Sequence, residues 1–368
     1  KMTSGGMDLR KITRQIEVRG VKIGGGAPVS IQSMTNTDTR DVRATLEQIR
    51  RLGEAGCEIA RIAVSDREGA EAFGEIRKQT DMPLVADIQF DYRMAVAAAE
   101  NGADAVRINP GNIGSRERVL AVVKECKKRG IPIRVGVNSG SVEKDILEEY
   151  GVTPRGLAES AMRNVKLLED LDFGDIVISA KASDVQKNFE TYRILSDMTD
   201  YPLHIGVTES GDRTRGTIKS AAGLGALLLE GIGDTMRVSL TGDPVDEIPV
   251  AREILKCTGN LNRGINLVSC PTCSRCRTDL PEITSEVMKA VESREPALIR
   301  SGRSMITVAV MGCAVNGPGE AKGADIGAAC GDGKAVIFAD GEILRTVPES
   351  EIAGALTAEL DKLISDEC

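Results

Sequence analysis

The chain has 368 residues and a formal net charge of −8, which allows a barrel with an appended domain and argues against a nucleic-acid binder. No apolar run approaches the roughly 18 residues of a membrane span, so we expect no membrane partner. Nine cysteines without a secretory signal argue against a disulfide framework and indicate a cytoplasmic protein. A residue ahead of Met2 suggests that the chain starts with a tag remnant.

The first patterned segment is residues 16–23, in which apolar and polar side chains alternate around Gly20. This pattern predicts a hairpin that plugs the bottom of a barrel, within an N-terminal segment of residues 1–27. The three glycines at 24–26 lack the spacing of a dinucleotide-binding loop, so they predict a turn.

Residues 28–260 alternate short β-branched runs with longer helical patterns. The predicted strands cover residues 28–34, 58–64, 83–88, 103–108, 131–137, 175–179, 202–207 and 235–240. The clearest predicted helices cover residues 42–54, 116–129, 157–168, 185–198 and 217–229. This alternation implies parallel strands, and eight repeats fit a closed (β/α)8 TIM barrel of the α/β class, with an open doubly wound sheet as the alternative.

The pattern changes after residue 264, and residues 265–368 predict a smaller α+β domain. Its predicted elements are a helix over 283–294, a strand over 305–310, a hairpin of 334–338 with 343–347, and a closing helix over 350–364. The hairpin turns at Asp340-Gly341, a dipeptide typical of tight turns.

Five predicted barrel strands carry a cation near the C-terminal end, where such barrels place their sites. These cations are Arg61, Arg107, Arg134, Lys181 and Arg237. Only Asp87 and Glu209 face them as acids in this interpretation, so the surplus positive charge predicts a bound anion such as a diphosphate. In the alternative, the arginines point outward and pair with helix carboxylates.

Three further residues at the barrel top have distinct expected roles. Asp87 alone is best explained as a structural partner of an arginine, whereas Glu209 follows a strand and is the better candidate for touching substrate. His204 is the only histidine, and its place inside a predicted strand indicates a buried, hydrogen-bonded side chain rather than a general base.

The cysteines divide into scattered and clustered ones. Those at 57, 126, 257 and 330 read as small buried side chains, and Cys368 as incidental. Cys270 and Cys273, two residues apart, can grip a metal centre with the distant Cys313. Three thiolates and one unusual ligand fit an iron–sulfur cluster, and the glycine-rich turn at 316–319 can aim Glu320 at it. A structural zinc that uses Cys276 as fourth ligand is the alternative.

Several motifs together resemble the bacterial 4-hydroxy-3-methylbut-2-enyl diphosphate synthases. The motifs are SCPTCSR at 269–275, MGCAVNGPGE at 311–320, QSMTNT at 32–37, RINPGN at 107–112, GVTE at 206–209 and GIGDTMRVS at 231–239. They occur in family order from about residue 10 to the C-terminus.

The resemblance implies a reductive ring opening of 2-C-methyl-D-erythritol 2,4-cyclodiphosphate in the non-mevalonate isoprenoid pathway. Two electrons would come from ferredoxin or flavodoxin through a 4Fe-4S cluster in the α+β domain. The cluster ligands map to Cys270, Cys273, Cys313 and Glu320. The substrate site maps to the five cations with Asn138, Ser239 and Asp87, and the acid that acts on the substrate to Glu209.

The resemblance also implies a homodimer in which the cluster domain of one chain meets the barrel of the other. One departure from the family pattern is Cys276, which stands where a non-cysteine residue is expected and competes with Glu320 for the fourth iron. We expect Glu320 to be the ligand, because the glycine-rich turn is otherwise unexplained. Two other functions remain open: a phosphate-binding barrel enzyme with a structural zinc domain, and a non-catalytic iron–sulfur carrier.

Overall fold

The computed structural model describes residues 10–300, 303–313, 323–331 and 333–365. The chain divides into two compact units, Lys1–Leu261 and Asn262–Cys368. Among the described residues, none of the helices is long and apolar enough to cross a membrane.

The first unit contains an eight-stranded parallel barrel, so the predicted (β/α)8 TIM barrel is confirmed. Its strands are β3 (Ser30–Met34), β4 (Ile59–Ala63), β5 (Leu84–Asp87), β6 (Ala105–Ile108), β7 (Ile133–Asn138), β8 (Ile176–Lys181), β9 (His204–Ile205) and β10 (Thr235–Met236). The ladder runs from β8 back through β3 to β10 and β9. A parallel bridge between Ile178 and Leu203 connects its two ends and closes the barrel.

Ten helices are described in this unit, and most of them connect the strands. They are α1 (Val42–Ala55), α2 (Arg67–Arg77), α3 (Tyr92–Glu100), α4 (Pro110–Ile113), α5 (Arg116–Arg129), α6 (Lys144–Tyr150), α7 (Pro154–Glu169), α8 (Val185–Met198), α9 (Arg213–Leu229) and α10 (Glu247–Cys257). Helix α1 shows how local sequence sets the ends. Asp41 caps its first turn by accepting from the Ala44 N–H, and Gly56 ends it at φ 102°.

The two-residue period of the strands separates a helix-facing side from a barrel-facing side. In β4, Ala60 and Ile62 belong to the main core between strands and helices, whereas Ile59 belongs to a separate cluster at the bottom of the barrel. Arg61 shares the inward side with Ile59. The same alternation turns the other cations inward, so the alternative of outward arginines is wrong.

The N-terminal hairpin closes the bottom of the barrel. Strands β1 (Ile16–Val18) and β2 (Val21–Ile23) pair antiparallel. Their buried side chains form one apolar cluster with barrel-facing residues of four strands: Ile59, Val85, Ala105 and Val177. Burial of this cluster blocks solvent from that end, which leaves the opposite mouth for a ligand.

Two barrel strands are shorter than the sequence predicts. Strand β9 spans only His204–Ile205 and β10 only Thr235–Met236, against predicted ranges of 202–207 and 235–240. The chain leaves the ladder there to form the loops that carry Glu209 and Ser239. One cysteine prediction is also wrong, because Cys257 is exposed at the end of α10.

The second unit contains a five-stranded sheet covered by helices. Its strands are β11 (Ile265–Ser269), β12 (Ile306–Met311), β13 (Ile326–Gly331), β14 (Lys334–Ala339) and β15 (Glu342–Pro348), and its helices are α11 (Leu280–Glu292), α12 (Glu295–Arg300) and α13 (Ile352–Ser365). Strands β11, β12 and β13 are parallel, and β14 and β15 add an antiparallel hairpin. Strands β11 and β13 were not predicted; β13 is mostly glycine and alanine, which give little β-branched signal.

Candidate active site and candidate metal centre

A ring of inward-facing cations lines the mouth of the barrel. Arg107, Arg134 and Lys181 are buried, and Arg61 and Arg237 are partly buried. In the strand register, Arg107 lies directly between Asp87 on β5 and Arg134 on β7. The cations come from β4, β6, β7, β8 and the segment after β10, so only barrel closure brings them together.

Asp87 neutralises part of this ring. Its carboxylate lies 3.2 Å from Arg107 Nη1 and 3.9 Å from Arg61 Nε. Burial alone would raise the pKa of Asp87, but the charges of Arg61 and Arg107 outweigh it, so the pKa lies below its usual value. The prediction that Asp87 is a structural partner of arginine is therefore confirmed.

The second buried acid at the mouth is Glu247, which the sequence analysis missed. Glu247 is 1% exposed, and its carboxylate accepts from Arg237 Nη2 at 3.0 Å and Nε at 3.2 Å. It also accepts from Ser33 Oγ at 2.7 Å and from the Leu240 N–H at 3.2 Å. The available signal was an acid in the first turn of the helix that follows the last barrel strand.

Glu209 does not pair with the ring as the sequence analysis expected. It is exposed in the loop after β9 and has φ 53°, a left-handed conformation that is uncommon for glutamate. Such conformations concentrate at functional sites. Two buried carboxylates thus face five cations among the described residues.

The unpaired hydrogen-bond donors of Arg134 are the most direct indication that the ring can bind an anion. Its Nη1 contacts Gln32 Oε1, whereas the buried Nε and Nη2 atoms have no hydrogen-bond partner. Burial, together with the charges of Arg61 and Arg107, holds the pKa of Arg134 well below its usual value. A buried donor without a partner is costly, so a ligand that accepts two hydrogen bonds here would be stabilised.

Lys181 lies against the only histidine. Lys181 Nζ is 3.3 Å from His204 Nε2, and His204 Nδ1 is 3.4 Å from Thr235 Oγ1. His204 is fully buried, as predicted, and burial plus the charges of Lys181 and Arg134 hold its pKa well below its usual value. Burial and the neighbouring arginines also lower the pKa of Lys181.

Two glycines make room for the cationic side chains. A Cβ on Gly136 would lie 2.3 Å from Arg107 Nε, and a Cβ on Gly206 would lie 2.5 Å from Lys181 Nζ. Any larger residue at either position would therefore displace a member of the ring.

The remaining predicted site residues lie at the rim of the mouth. Asn138 ends β7 and is exposed, and Ser239 is half-buried in the loop after β10. The sequence analysis did not select Asn109, which is buried after β6 with its side-chain Nδ2 unpaired. Its Oδ1 accepts from the Gly111 N–H, which fixes the side chain at the start of α4.

The candidate metal centre lies at one edge of the sheet in the second unit. Strands β11 and β12 are parallel neighbours, with Ser269 opposite Val310. Because their C-terminal ends meet at the same edge, the segments that carry Cys270 and Cys313 begin side by side. The Gly312 N–H donates to Cys270 Sγ at 3.2 Å, which joins the two segments directly.

The sulfur atoms at this edge suit a thiolate-bound cluster. Cys273 is exposed, and hydrogen bonds from the backbone and side chain of Arg275 lower the pKa of its thiol, which favours the thiolate form that binds iron. Among the described residues, no three thiol, imidazole or carboxylate groups converge on the place of a single ion. In a 4Fe-4S cluster each ligand binds a different iron, so its ligands stand further apart than those of one ion.

Three other residues bear on the fourth ligand. Cys276 Sγ donates to the Thr278 carbonyl at 3.3 Å, and a Cβ on Gly312 would lie 2.7 Å from this sulfur. Glu320, the expected ligand, lies outside the described residues. Cys330 is fully buried, as predicted, and burial raises the pKa of its thiol to about 12, which disfavours a thiolate.

Comparison with known proteins agrees with both units. The family described as "GcpE TIM-barrel domain" matches residues 13–252, and "GcpE protein C-terminal domain" matches residues 266–362. The chain belongs to the GcpE family. The resemblance inferred from the motifs is thereby confirmed.

Curated GcpE relatives match over nearly their whole length. A protein of Clostridium perfringens named 4-hydroxy-3-methylbut-2-en-1-yl diphosphate synthase (flavodoxin) is 57% identical, covering 96% of this chain and 99% of the relative. Proteins with the same name from Caldanaerobacter subterraneus subsp. tengcongensis and Geobacter sulfurreducens are 52% and 53% identical, covering 98% and 96% of this chain and 99% of each relative.

The barrel is also similar to solved structures outside the GcpE family. A dihydropteroate synthase from Stenotrophomonas maltophilia matches with a TM-score of 0.50 at 14% identity, covering 67% of this chain and 97% of that one. At this identity the likeness concerns the fold alone.

Proposed function

We propose that this chain catalyses the reductive ring opening and dehydration of 2-C-methyl-D-erythritol 2,4-cyclodiphosphate to 4-hydroxy-3-methylbut-2-enyl diphosphate. The reaction takes up two electrons, opens one carbon–oxygen bond to the diphosphate and releases one hydroxyl as water. The curated GcpE relatives carry the name of this product. The observation that carries the proposal here is the inward ring of five cations, in which Arg134 keeps two buried nitrogen atoms, Nε and Nη2, without a hydrogen-bond partner.

The proposed role of the ring is to hold the diphosphate while one of its ester bonds opens. Arg61, Arg107, Arg134, Lys181 and Arg237 would bind it, with Asn138 and Ser239 at the rim. Charge grows on the phosphate oxygen as the ring opens, and fixed cations in a site that excludes water stabilise that charge without reorganising. Asp87 and Glu247 pair with three of the arginines and offset part of their mutual repulsion.

Glu209 is the proposed acid that acts on the substrate. It lies in the loop after β9, the strand beside the one that carries Lys181, and its side chain is exposed. In this role it would hold the proton that leaves with the hydroxyl as water.

Cys270, Cys273 and Cys313 are proposed to hold a 4Fe-4S cluster, with Glu320 as the fourth ligand and Cys276 as its competitor. When bound, such a cluster supplies electrons one at a time. The chain's contribution is the sheet edge that joins the two cysteine segments and the Gly312 N–H that bonds to the Cys270 sulfur. Hydrogen bonds to cluster sulfurs raise the tendency to accept an electron.

The partners follow from the same assignment. Flavodoxin is the proposed electron donor, because the relatives' names specify it, and ferredoxin is the second candidate. The homodimer in which barrel and cluster domain meet across chains stays a prediction, as do the cytoplasmic location and the assignment of residues 28–260 and 265–368 to the two tasks.

The test is turnover by protein purified and reconstituted without oxygen. We expect a brown protein with iron and sulfide, and product formation with reduced flavodoxin. Arg134→Met should lose most turnover while keeping the iron. The control is Arg67→Ala, which removes an exposed arginine that pairs with Glu71 on α2 and should keep full activity.

Different failures have different meanings. A colourless protein with one zinc per chain would replace the proposal by the phosphate-binding barrel with a zinc domain. A brown protein whose activity is the same in Arg134→Met would indicate an iron–sulfur carrier without a barrel site.

A further inference from the structure

Lys181, a member of the cationic ring, forms a buried contact with His204, and both side chains carry a basic nitrogen atom. Lys181 is 8% exposed and His204 is 0% exposed, and their facing nitrogen atoms are 3.3 Å apart. His204 Nε2 is the hydrogen-bond partner that the structure shows for Lys181 Nζ. The nitrogen atoms are close enough for one to donate a hydrogen bond to the lone pair of the other, so the protonation of each group depends on that of the other.

Charged groups face this pair from most of the barrel. Arg61 on β4, Arg134 on β7 and Arg237 after β10 repel positive charge on both Lys181 and His204, and Arg107 on β6 repels it on Lys181. The carboxylates of Asp87 on β5 and Glu247 on α10 oppose them but are engaged by three of these arginines. Thr235 on β10 and Tyr192 on α8 supply only neutral hydroxyls, the latter to the His204 carbonyl at 2.7 Å.

The surrounding charges determine whether Lys181 and His204 are protonated in the ligand-free protein. Without an anion, burial and the arginines disfavour an ammonium on Lys181 and an imidazolium on His204. A diphosphate dianion at the mouth would reverse the sign of the local field. The amine could then take up a proton, whereas His204, in contact with the new ammonium, would stay neutral.

We propose that Lys181 and His204 form a proton-accepting pair that takes up one proton when a diphosphate binds at the barrel mouth, and that His204 positions the Lys181 ammonium by accepting its hydrogen. The proton comes from solvent and forms one N–H bond on the Lys181 amine. The neutral imidazole accepts from the ammonium at Nε2 and donates its Nδ1–H to Thr235 Oγ1. His204 thus acts through Lys181 as a positioning residue.

This inference rests on the proposed function, since it assumes a diphosphate at the ring. It adds that binding is linked to proton uptake, so affinity should fall as pH rises between the pKa of the Lys181 amine in the free enzyme and its higher pKa in the complex. A purely structural histidine would give no such linkage.

The first experiment measures proton uptake with the oxidised holoenzyme, in which no turnover occurs. The probe is 2-C-methyl-D-erythritol 2,4-cyclodiphosphate, in which each phosphorus carries one ester and one anhydride bond, so each phosphate keeps a single negative charge near neutral pH. Calorimetric titration in two buffers of different ionisation enthalpy gives the number of protons taken up. We expect uptake of close to one proton within the range from about pH 6 to about 8, wherever the amine is neutral in the free enzyme and charged in the complex. Zero uptake throughout this range would overturn the proposal.

Variants of Lys181 and His204 test whether this pair is the group that takes up the proton. Lys181→Met should abolish the uptake. His204→Phe removes the acceptor of the Lys181 ammonium. If the pKa of the amine then falls by about one unit, binding should weaken by about tenfold at about pH 8, with little loss at about pH 6. His204→Gln, which keeps an acceptor, should restore most of the affinity. Tyr192→Phe is the matched control, because it removes the hydroxyl that donates to the His204 backbone carbonyl but leaves the imidazole in place, and it should keep the uptake.

The outcomes separate this inference from the proposed function. Unchanged uptake in Lys181→Met, or a His204→Phe profile parallel to wild type, contradicts the proton-accepting pair even if turnover is normal. If the cyclic compound does not bind, P1,P2-dimethyl diphosphate is the second probe. Proton uptake on binding of that dianion would support the proton-accepting pair but contradict the proposed substrate. Binding of the dianion without proton uptake would contradict the pair.

Discussion

At the residue scale, Glu247 shows how a buried acid can set the geometry of a cationic site. Its carboxylate accepts hydrogen bonds from Arg237, Ser33 and the Leu240 backbone, so each oxygen is engaged. It comes from the helix after the last strand and not from the barrel itself. Arg237 is therefore held from the side, and its Nη1, which contacts Met34 Sδ at 3.7 Å, is the nitrogen that can turn toward a ligand.

Glu247→Gln should reduce both stability and substrate affinity. The amide keeps the size of the side chain but removes the charge that Arg237 requires, and breaking a buried ion pair costs about 3–5 kcal/mol. We expect a lower free energy of unfolding in urea and a raised KM. Glu47→Gln changes an exposed carboxylate paired with Arg50 and should alter neither quantity. Equal behaviour of the two variants would contradict a positioning role for Glu247.

A substitution at Gly136 tests whether ligand binding depends on the position of Arg107. In Gly136→Ala the new Cβ would lie 2.3 Å from Arg107 Nε, so the guanidinium must move away from Asp87. We expect a loss of about 1–3 kcal/mol in stability and a clear drop in diphosphate affinity by titration calorimetry. Gly174→Ala, where a Cβ meets nothing within 4 Å, is the control. Undiminished affinity in Gly136→Ala would show that Arg107 does not touch the ligand.

At the scale of elements, the second unit depends on a pair of parallel strands. Strands β11 and β12 deliver two cysteine segments to one sheet edge, and Gly312 fills the gap between them. A Cβ there would lie 2.7 Å from Cys276 Sγ and 3.1 Å from Leu280 Cδ2, while the backbone N–H bonds to Cys270. The edge has no space for a side chain at this position.

Gly312→Ala should therefore lower the iron content after anaerobic reconstitution, measured as iron and sulfide per chain. Adding Cys276→Ala removes the sulfur that the new methyl group meets. If Cys276 is not a ligand, Cys276→Ala alone keeps the cluster and the double variant regains iron. Loss of the cluster in Cys276→Ala alone would instead make Cys276 the fourth ligand in place of Glu320. Gly323→Ala, which meets nothing within 4 Å, is the control.

At the scale of the whole molecule, the protein has an excess of acidic residues but concentrates buried cations in one place. Its formal net charge is −8, yet five cations face two buried carboxylates at the described mouth of the barrel. Packing such cations without a counter-ion costs free energy, which a bound anion returns. Substrate-free protein therefore gives up stability for its binding site.

This cost predicts a pH dependence for the substrate-free protein. The pKa values of Lys181 and His204 lie well below 10.5 and 6.5 in the folded chain. Between the folded and ordinary values the unfolded chain binds more protons, so the free energy of unfolding should rise with pH, up to 6.5 through His204 and up to 10.5 through Lys181. Each fully released proton contributes about 1.4 kcal/mol per pH unit.

Urea unfolding of wild type and Lys181→Met at several pH values checks this prediction. The variant should show a smaller rise, because one of the two titrating groups is gone. The measurements stop at about pH 8, because the thiols of Cys57 and Cys126 lose their protons near pH 9.0 in the unfolded chain but, owing to burial, only at about 12 in the folded chain. Identical pH slopes in both proteins would show that Lys181 stays protonated without a ligand.

The sequence by itself determined the elements with strong local periodicity and the chemistry at their ends. The eight strand–helix repeats, the cations at 61, 107 and 134, and the cysteine motifs can be read along the chain, because side-chain alternation and ligand spacing are local properties. The motifs also placed the chain in its family. Strand β13 was missed because its small residues carry little local preference and pair only within a sheet.

Tertiary structure alone decided which groups meet. Gln32 reaches Arg134 across 102 residues, and Ser33 reaches Glu247 across 214, through strand register and helix packing. Barrel closure set Lys181 against His204 and brought the arginines together at one mouth. Such contacts depend on the packing of many elements at once, so no local pattern encodes them, and the electrostatics of the mouth follow from them.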